Sequence, residues 1–137
     1  MQRTFAMIKP DAVGKRAIGR ILTRIEEEGF RIVGLRQLQL TREQAEGFYA
    51  VHRERPFFGE LVGFVASGPA VVLVLEAADA IARWRRVIGA TDSRKAEPGT
   101  LRQQFGTDVQ FNAVHGSDGP ETASFEIGYF FPGVELK

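Results

Sequence analysis

The sequence predicts an α+β fold, on three observations. Short apolar runs at residues 4–8, 31–40, 70–75 and 112–115 read as four strands. Stripes of apolar residues at helical spacing lie between them, separated by Gly and Pro punctuation. Their order is strand, helix, strand, helices, strand, helix, long loop, strand, helix, which fits a β-α-β-β-α-β antiparallel sheet of the ferredoxin-like kind with additional helices. A chain of 137 residues suits one domain, residues 1–137.

Residues 4–8 form a buried strand that Lys9-Pro10-Asp11 stops. Pro10 holds Lys9 extended, so Lys9 stands at a strand end on a stiff turn. Ile18, Ile21, Leu22 and Ile25 follow at helical spacing, with Glu26-Glu27-Glu28 behind them and Gly29 as the stop. In the second strand, Val33, Leu35, Leu38 and Leu40 do not keep one parity, which predicts a bulge or twist near Gly34. Thr41-Arg42-Glu43-Gln44 is a capping box that opens a helix running to about His52. Arg55-Pro56-Phe57-Phe58 breaks it, residues 60–66 predict another short helix, and Ser67-Gly68-Pro69 is a turn.

The run at 70–75 is apolar throughout and β-branched, as a central strand requires. Residues 79–88 predict a helix burying Ile81, Trp84, Val87 and Ile88. From 89 to about 112 the chain is irregular, with one short helical piece at 101–105. Loops of that length inside a compact domain are functional or disordered, and the Arg and Thr residues here favour function. Residues 112–115 form the last strand and lead into Gly116-Ser117-Asp118. A final helix covers 120–130, with Pro120 in its first turn.

Composition excludes several classes. There is no Cys, which removes disulfides and thiolate catalysis. The start shows no signal-peptide pattern. The longest aliphatic run, 70–75, is far shorter than the roughly 20 residues a membrane span needs. The expectation is a cytoplasmic protein with no membrane partner. Net charge is +1 but uneven: Arg83, Arg85, Arg86, Arg94, Lys95 and Arg102 against Asp92 and Glu97 make that segment +4 and the rest −3. Such a segment can hold a phosphate without general affinity for nucleic acid, and no basic stripe extends beyond it.

Of the two histidines, His52 lies among Arg53, Glu54 and Arg55 and is expected to be exposed. His115 ends a strand and precedes Gly116 and Ser117. For a histidine to attack phosphorus, one ring nitrogen must present a lone pair while the other donates its proton to a fixed acceptor. Charge on the phosphoryl oxygens must meet placed cations and donors. Lys9, Arg85, Arg102, Thr91 and Tyr49 are the candidates, with Phe57 as a platform for a base. Spacing alone does not bring these groups together. No G-x-x-x-x-G-K-[ST] loop is present, which closes that route to phosphate.

Eight motifs in order carry a resemblance. Asn112-Ala113-Val114-His115-Gly116-Ser117-Asp118 matches an N-x-x-H-G-S-D active-site motif. With it stand Thr4-Phe5-Ala6-Met7-Ile8-Lys9-Pro10-Asp11, Gly47-Phe48-Tyr49, Arg55-Pro56-Phe57-Phe58, Ser67-Gly68-Pro69, Gly89-Ala90-Thr91, Pro98-Gly99-Thr100-Leu101-Arg102 and Glu126-Ile127. Along essentially its whole length the chain resembles the nucleoside diphosphate kinase family. The resemblance implies ping-pong transfer of a γ-phosphoryl group from a nucleoside triphosphate to a nucleoside diphosphate through a phosphohistidine at His115, with broad base and sugar tolerance.

It further implies that Glu126 orients the imidazole, with Ser117 hydrogen-bonding close by. Lys9 reaches the transferring phosphate and the sugar 3′-hydroxyl, and Tyr49 places its hydroxyl near His115. Arg85, Thr91 and Arg102 bind the β- and γ-phosphates, Asn112 holds the sugar, and Phe57 and Val109 sandwich the base. Mg²⁺ is expected to arrive bridging the nucleotide phosphates, without a protein carboxylate cage. The implied assembly is a homo-oligomer, a tetramer or hexamer built from dimers.

The chain departs from the family at Gly119-Pro120-Glu121-Thr122, where an S-x-E-S-A type start is usual, at Phe125, and at Asp92-Ser93 in place of Asn-Pro. Those changes bear on assembly. Two rivals stay open at this point: a non-catalytic nucleotide-binding module on the same fold, and a nucleic-acid binder using residues 83–102.

Overall fold

The computed structural model describes residues 1–136. Its sheet has four strands, β1 (Gln2–Ile8), β2 (Arg31–Leu38), β3 (Ala70–Ala77) and β4 (Val114–Gly116), in the order β2-β3-β1-β4. Each neighbouring pair is antiparallel. With the helices this is the α+β, ferredoxin-like arrangement expected from the order of elements.

β1 and β3 are central and pair along their full overlap, from Gln2 opposite Ala77 to Ile8 opposite Val71. Both are apolar on two faces because both faces are covered. Ala6 and Ile8 pack with Leu73 and Leu75 under α2 (Ile18–Glu27) and α5 (Ala80–Ile88), around the buried Trp84. Phe5, Met7, Val72 and Val74 point the other way. They pack under α3 (Arg42–Phe48), α4 (Phe58–Val65) and α7 (Pro120–Phe130).

Local signals explain most boundaries. The Thr41 hydroxyl accepts the Gln44 N–H at 3.1 Å, and the Gln44 side chain accepts the Thr41 N–H at 2.9 Å. A cap of this kind contributes about 1 kcal/mol to the helix. β2 shifts register between Ile32 and Gly34, where the bulge was expected. Gly34 lies under the Phe131 ring, and a Cβ there would come within 3.0 Å of it. The altered start of the last helix is accommodated: the Thr122 hydroxyl accepts the Gly119 N–H at 3.0 Å, and the helix begins at Pro120.

Three differences from the sequence reading matter for the site. Residues 10–14 are a short helix, α1 (Pro10–Gly14), rather than only a turn. Pro10, with φ already fixed, occupies its first position, and Lys9 before it stays extended. β4 begins at Val114 rather than at 112, because Ala113 is left-handed at φ +72° and leaves the ladder. Finally, the stretch from 89 to 112 is tied down. Besides the helical piece expected at 101–105, which is α6 (Leu101–Phe105), it contains a 3-10 turn (Ser93–Lys95), and Lys15 and Arg24 donate to the Phe105 and Gly99 carbonyls, each at 2.7 Å. Among the described residues, no helix is long and apolar enough to cross a membrane.

Candidate active site

β4 pairs with β1 so that His115 stands opposite Met7. That parity turns its ring toward α3 and α7. The edges and faces of Phe5 and Phe48 hold it, with ring centroids at 6.0 and 5.6 Å. Behind it the backbone is equally fixed. The Trp84 indole N–H donates to the His115 carbonyl at 3.1 Å, and a Cβ on Gly116 would come within 2.6 Å of the Trp84 ring. Only glycine leaves room for that approach.

α7 folds back beside the ring and brings Glu126, only 8 % exposed, to it. Glu126 Oε1 lies 3.0 Å from His115 Nε2 and accepts the Ser117 hydroxyl at 2.7 Å. Ser117 is itself locked to β1: its N–H donates to the Phe5 carbonyl, and its hydroxyl oxygen accepts the Phe5 N–H. With the proton on Nε2 directed at the carboxylate, the lone pair of the ring resides on Nδ1.

The exposed part of the ring lines a cleft of about 530 Å³. Lys9, Tyr49, Phe57, Arg85, Thr91, Arg102, Val109, Asn112 and Glu126 line it as well; Ser117 does not, being buried behind Glu126. Lys9 donates to Asn112 Oδ1 at 2.8 Å. The Asn112 amide in turn donates to the carbonyls of Thr91 and Val109, coupling the end of β1 to the long loop. Arg102 is 6 % exposed. It donates to the carbonyls of Gly89 and Val114, both at 3.0 Å, while its Nε is buried with no partner among the described residues. Arg85 makes one long bond, 3.4 Å, to the Gly116 carbonyl. The Tyr49 hydroxyl is buried and has no partner among the described residues.

The electrostatics follow from crowding like charges out of water. Burial, and then the neighbouring Arg102, lower the Lys9 ammonium to a pKa of about 8, with Asp11 pulling the other way. Burial, and then Arg85, lower Arg102 to about 10. Burial and the Glu126 carboxylate raise the Tyr49 hydroxyl, so it remains a donor. None of Lys9, Arg85 and Arg102 is ion-paired to a carboxylate among the described residues. An incoming polyanion is what such a group of cations lacks.

At the more open part of the cleft, Phe57 and Val109 are 44 % and 56 % exposed, offering apolar surface without base-reading groups of their own. His52 corrects the sequence reading. It is half-buried on the cleft wall, its ring 5.6 Å from Phe57, because the 3-10 turn Ala50–His52 directs it inward while its charged neighbours stay outside. Arg83, part of the basic segment, is half-buried over Phe30 and donates to the Glu28 carbonyl at 2.6 Å. Asp118, Thr122 and Leu61 also line the cleft. No periodicity marks them; Asp118 and Thr122 stand out only by their closeness to His115 in the chain.

A histidine held by a carboxylate in a cationic cleft, on this antiparallel sheet, defines a phosphotransferase that acts on nucleotides. Residues 2–136 match the nucleoside diphosphate kinase family. The chain is 57% identical over 136 residues to the nucleoside diphosphate kinase of Pelobacter propionicus, covering 99% of each. It superposes on the Aquifex aeolicus nucleoside diphosphate kinase with a TM-score of 0.97 at 52% identity, covering 99% of both chains. On a halophilic nucleoside diphosphate kinase from Halobacterium salinarum, solved in complex with CDP, the TM-score is 0.95 at 43% identity, covering 99% of this chain and 91% of that one. The chain belongs to the nucleoside diphosphate kinase family, and it transfers phosphoryl groups between nucleotides.

Proposed function

We propose that the transfer is ping-pong and passes through His115. A nucleoside triphosphate docks with its phosphates among Lys9, Arg85, Thr91 and Arg102, its sugar at Asn112 and Lys9, and its base between Phe57 and Val109. His115 Nδ1 attacks the γ-phosphorus while the bond to the β-phosphate oxygen breaks, and the diphosphate leaves. A second nucleoside diphosphate enters the same cleft and its terminal oxygen takes the phosphoryl group back. The covalent intermediate divides one transfer into two similar steps. Glu126 and Ser117 keep the imidazole proton on Nε2 and stabilise the positive charge the ring acquires. The Tyr49 hydroxyl is a donor for the moving phosphoryl oxygens. Stacking without base-edge hydrogen bonds accounts for tolerance of purine and pyrimidine, ribose and deoxyribose.

Mg²⁺ would arrive with the nucleotide phosphates held by Lys9, Arg85, Thr91 and Arg102, and would neutralise part of their charge. The reading takes residues 1–137 as one cytoplasmic domain, supported by two cores that share a single sheet. It also takes the assembly as a tetramer or hexamer of dimers. The open edge of β2, where Leu35 is 49 % exposed, is surface that a second copy would cover.

The observation that carries the mechanism is the 3.0 Å contact of His115 Nε2 with Glu126 beside three cations that have no carboxylate partner among the described residues. Incubation with γ-labelled ATP should yield an acid-labile, base-stable phosphoprotein. The His115→Ala variant should take up no label and lose more than about a thousandfold in kcat, with its circular dichroism unchanged. Label retained on His115→Ala would move the nucleophile elsewhere.

A further inference from the structure

Two side chains of the cleft, Asn112 and His115, are separated by a backbone reversal at Ala113. Its φ of +72° is a left-handed conformation that a residue with a Cβ enters only at a cost. Both of its backbone groups are gripped from one place. The Lys9 N–H donates to the Ala113 carbonyl at 2.8 Å, and the Ala113 N–H donates to Asp11 Oδ2 at 3.0 Å. Lys9 and Asp11 flank Pro10, whose ring stiffens the segment between them.

Asp11 does not line the cleft, and it touches neither His115 nor Asn112 through any described hydrogen bond. An acidic residue in the first turn of a helix commonly serves that helix alone. Here, however, the side chain bonds a backbone amide 102 residues away, and its other oxygen, Oδ1, is buried without a partner among the described residues. Burial pushes the carboxyl pKa up, while the Ala113 N–H and the Lys9 charge pull it down. A carboxylate kept in so costly a place, bonded to the left-handed residue just before the nucleophile's strand, has a task there.

We propose that Asp11 is a positioning residue for phosphoryl transfer: by holding Ala113 left-handed, it sets Asn112, with its bond to Lys9, and His115 in a common geometry. The proposal rests on the reading of His115 as the phosphoryl acceptor. It gives Lys9-Pro10-Asp11 a second use, as a clamp on the segment that carries the nucleophile.

The test is a cycle of Asp11→Ala, Ala113→Gly and the double variant, with Asp11→Asn, His115→Ala and wild type alongside. Rates of phosphoenzyme formation from γ-labelled ATP, kcat and KM are measured, and thermal melting checks the fold. Asp11→Ala should lower kcat and the labelling rate about tenfold or more through misplacement of the attacking nitrogen. Asp11→Asn, whose amide oxygen accepts the same bond, should stay within about threefold of wild type. Ala113→Gly alone should change little, because glycine adopts this φ freely. Combined with Asp11→Ala it should shrink the loss at least about threefold, a non-additivity that residues acting independently do not show.

A folded Asp11→Ala enzyme with the wild-type labelling rate overturns the proposal. So does a loss that neither Asp11→Asn avoids nor Ala113→Gly reduces, since Asp11 would then serve only its own helix. If Asp11→Ala does not fold, Asp11→Ser, whose oxygen stops one bond short, replaces it with the same outcomes. Failure of the wild type to take label, or label on His115→Ala, would instead reject the reading on which the proposal stands.

Discussion

The two ends of β1 treat positive charge in opposite ways. Near its start, Arg3 and the Arg31 of β2 close on Glu76 at 2.9 and 3.0 Å. Hydrogen bonds from Arg3 and then Arg31 hold that carboxyl below its usual range. Just past its other end, Lys9 joins Arg85 and Arg102 at the cleft, and there no carboxylate pairs with them among the described residues. Burial lowers Lys9 and Arg102 instead. One end is complete as folded. The other holds charges that repel one another and have lost part of their water, and a nucleotide's phosphates would complete it. Strained or unsatisfied local chemistry is a mark of function when the surrounding fold is otherwise well satisfied.

The contrast is broken most directly at Arg85. Among the described residues its side chain makes one hydrogen bond, 3.4 Å long, so the fold loses little when it is removed. On the proposed reading, Arg85→Ala should lower kcat/KM about a hundredfold, the usual effect of losing one preorganised donor to a transferring group. Its melting temperature should stay close to wild type. An unchanged kcat/KM would mean that Arg85 is merely solvated and that its lack of a carboxylate partner serves no ligand.

Local features of the fold can be read from the sequence further than its long-range contacts can. Most of the strands and helices, the capping box at Thr41 and the bulge near Gly34 follow from periodicity and punctuation, which act over a few residues. Contacts that span the chain do not. Asp11 reaches Ala113 across 102 residues, and no local pattern marks either as a partner. Glu126 belongs beside His115 only if the last helix turns back, which the family resemblance implied and spacing could not. His52 departs from its expected exposure for the same reason. Its charged neighbours look like a solvated face, whereas a three-residue turn after α3 carries the ring to Phe57. The left-handed Ala113 lies in a run whose apolar pattern predicts strand.

A second, smaller effect sharpens the contrast through pH. The folded-state pKa of Lys9 lies near 8, below its ordinary 10.5, chiefly because it is buried. The free enzyme therefore loses this charge as pH rises through about 8. Since kcat/KM reports the free enzyme, it should fall about tenfold per pH unit above that point, toward a lower plateau left by the remaining cations. Stability should move the other way. The unfolded chain binds more protons than the folded one between about pH 8 and 10.5, so Lys9 makes folding more favourable as pH rises across that window. Bound nucleotide should shift the activity limb upward, because phosphate favours the ammonium form. A limb that stays in place with saturating nucleotide would show that the group titrating is not at the phosphates.

The smallest effect belongs to the completed end. Glu76→Ala removes the partner of both Arg3 and Arg31, whose side chains are 33 % and 56 % exposed. Ion pairs in water of this kind contribute little, because solvent and salt already screen them. The variant should therefore melt only slightly earlier than wild type. That difference should shrink as salt is added, since added ions take over the screening the carboxylate provided. Turnover and the labelling rate should be unchanged, because Glu76 pairs with residues at the opposite end of β1 from Lys9. Mirrored charge changes would then give opposite profiles: removing a cation at the cleft lowers activity and spares the fold, whereas removing the anion here touches the fold slightly and spares activity. A marked loss of turnover in Glu76→Ala would show that the two ends are mechanically coupled along β1, and the division between finished and unfinished electrostatics would not hold.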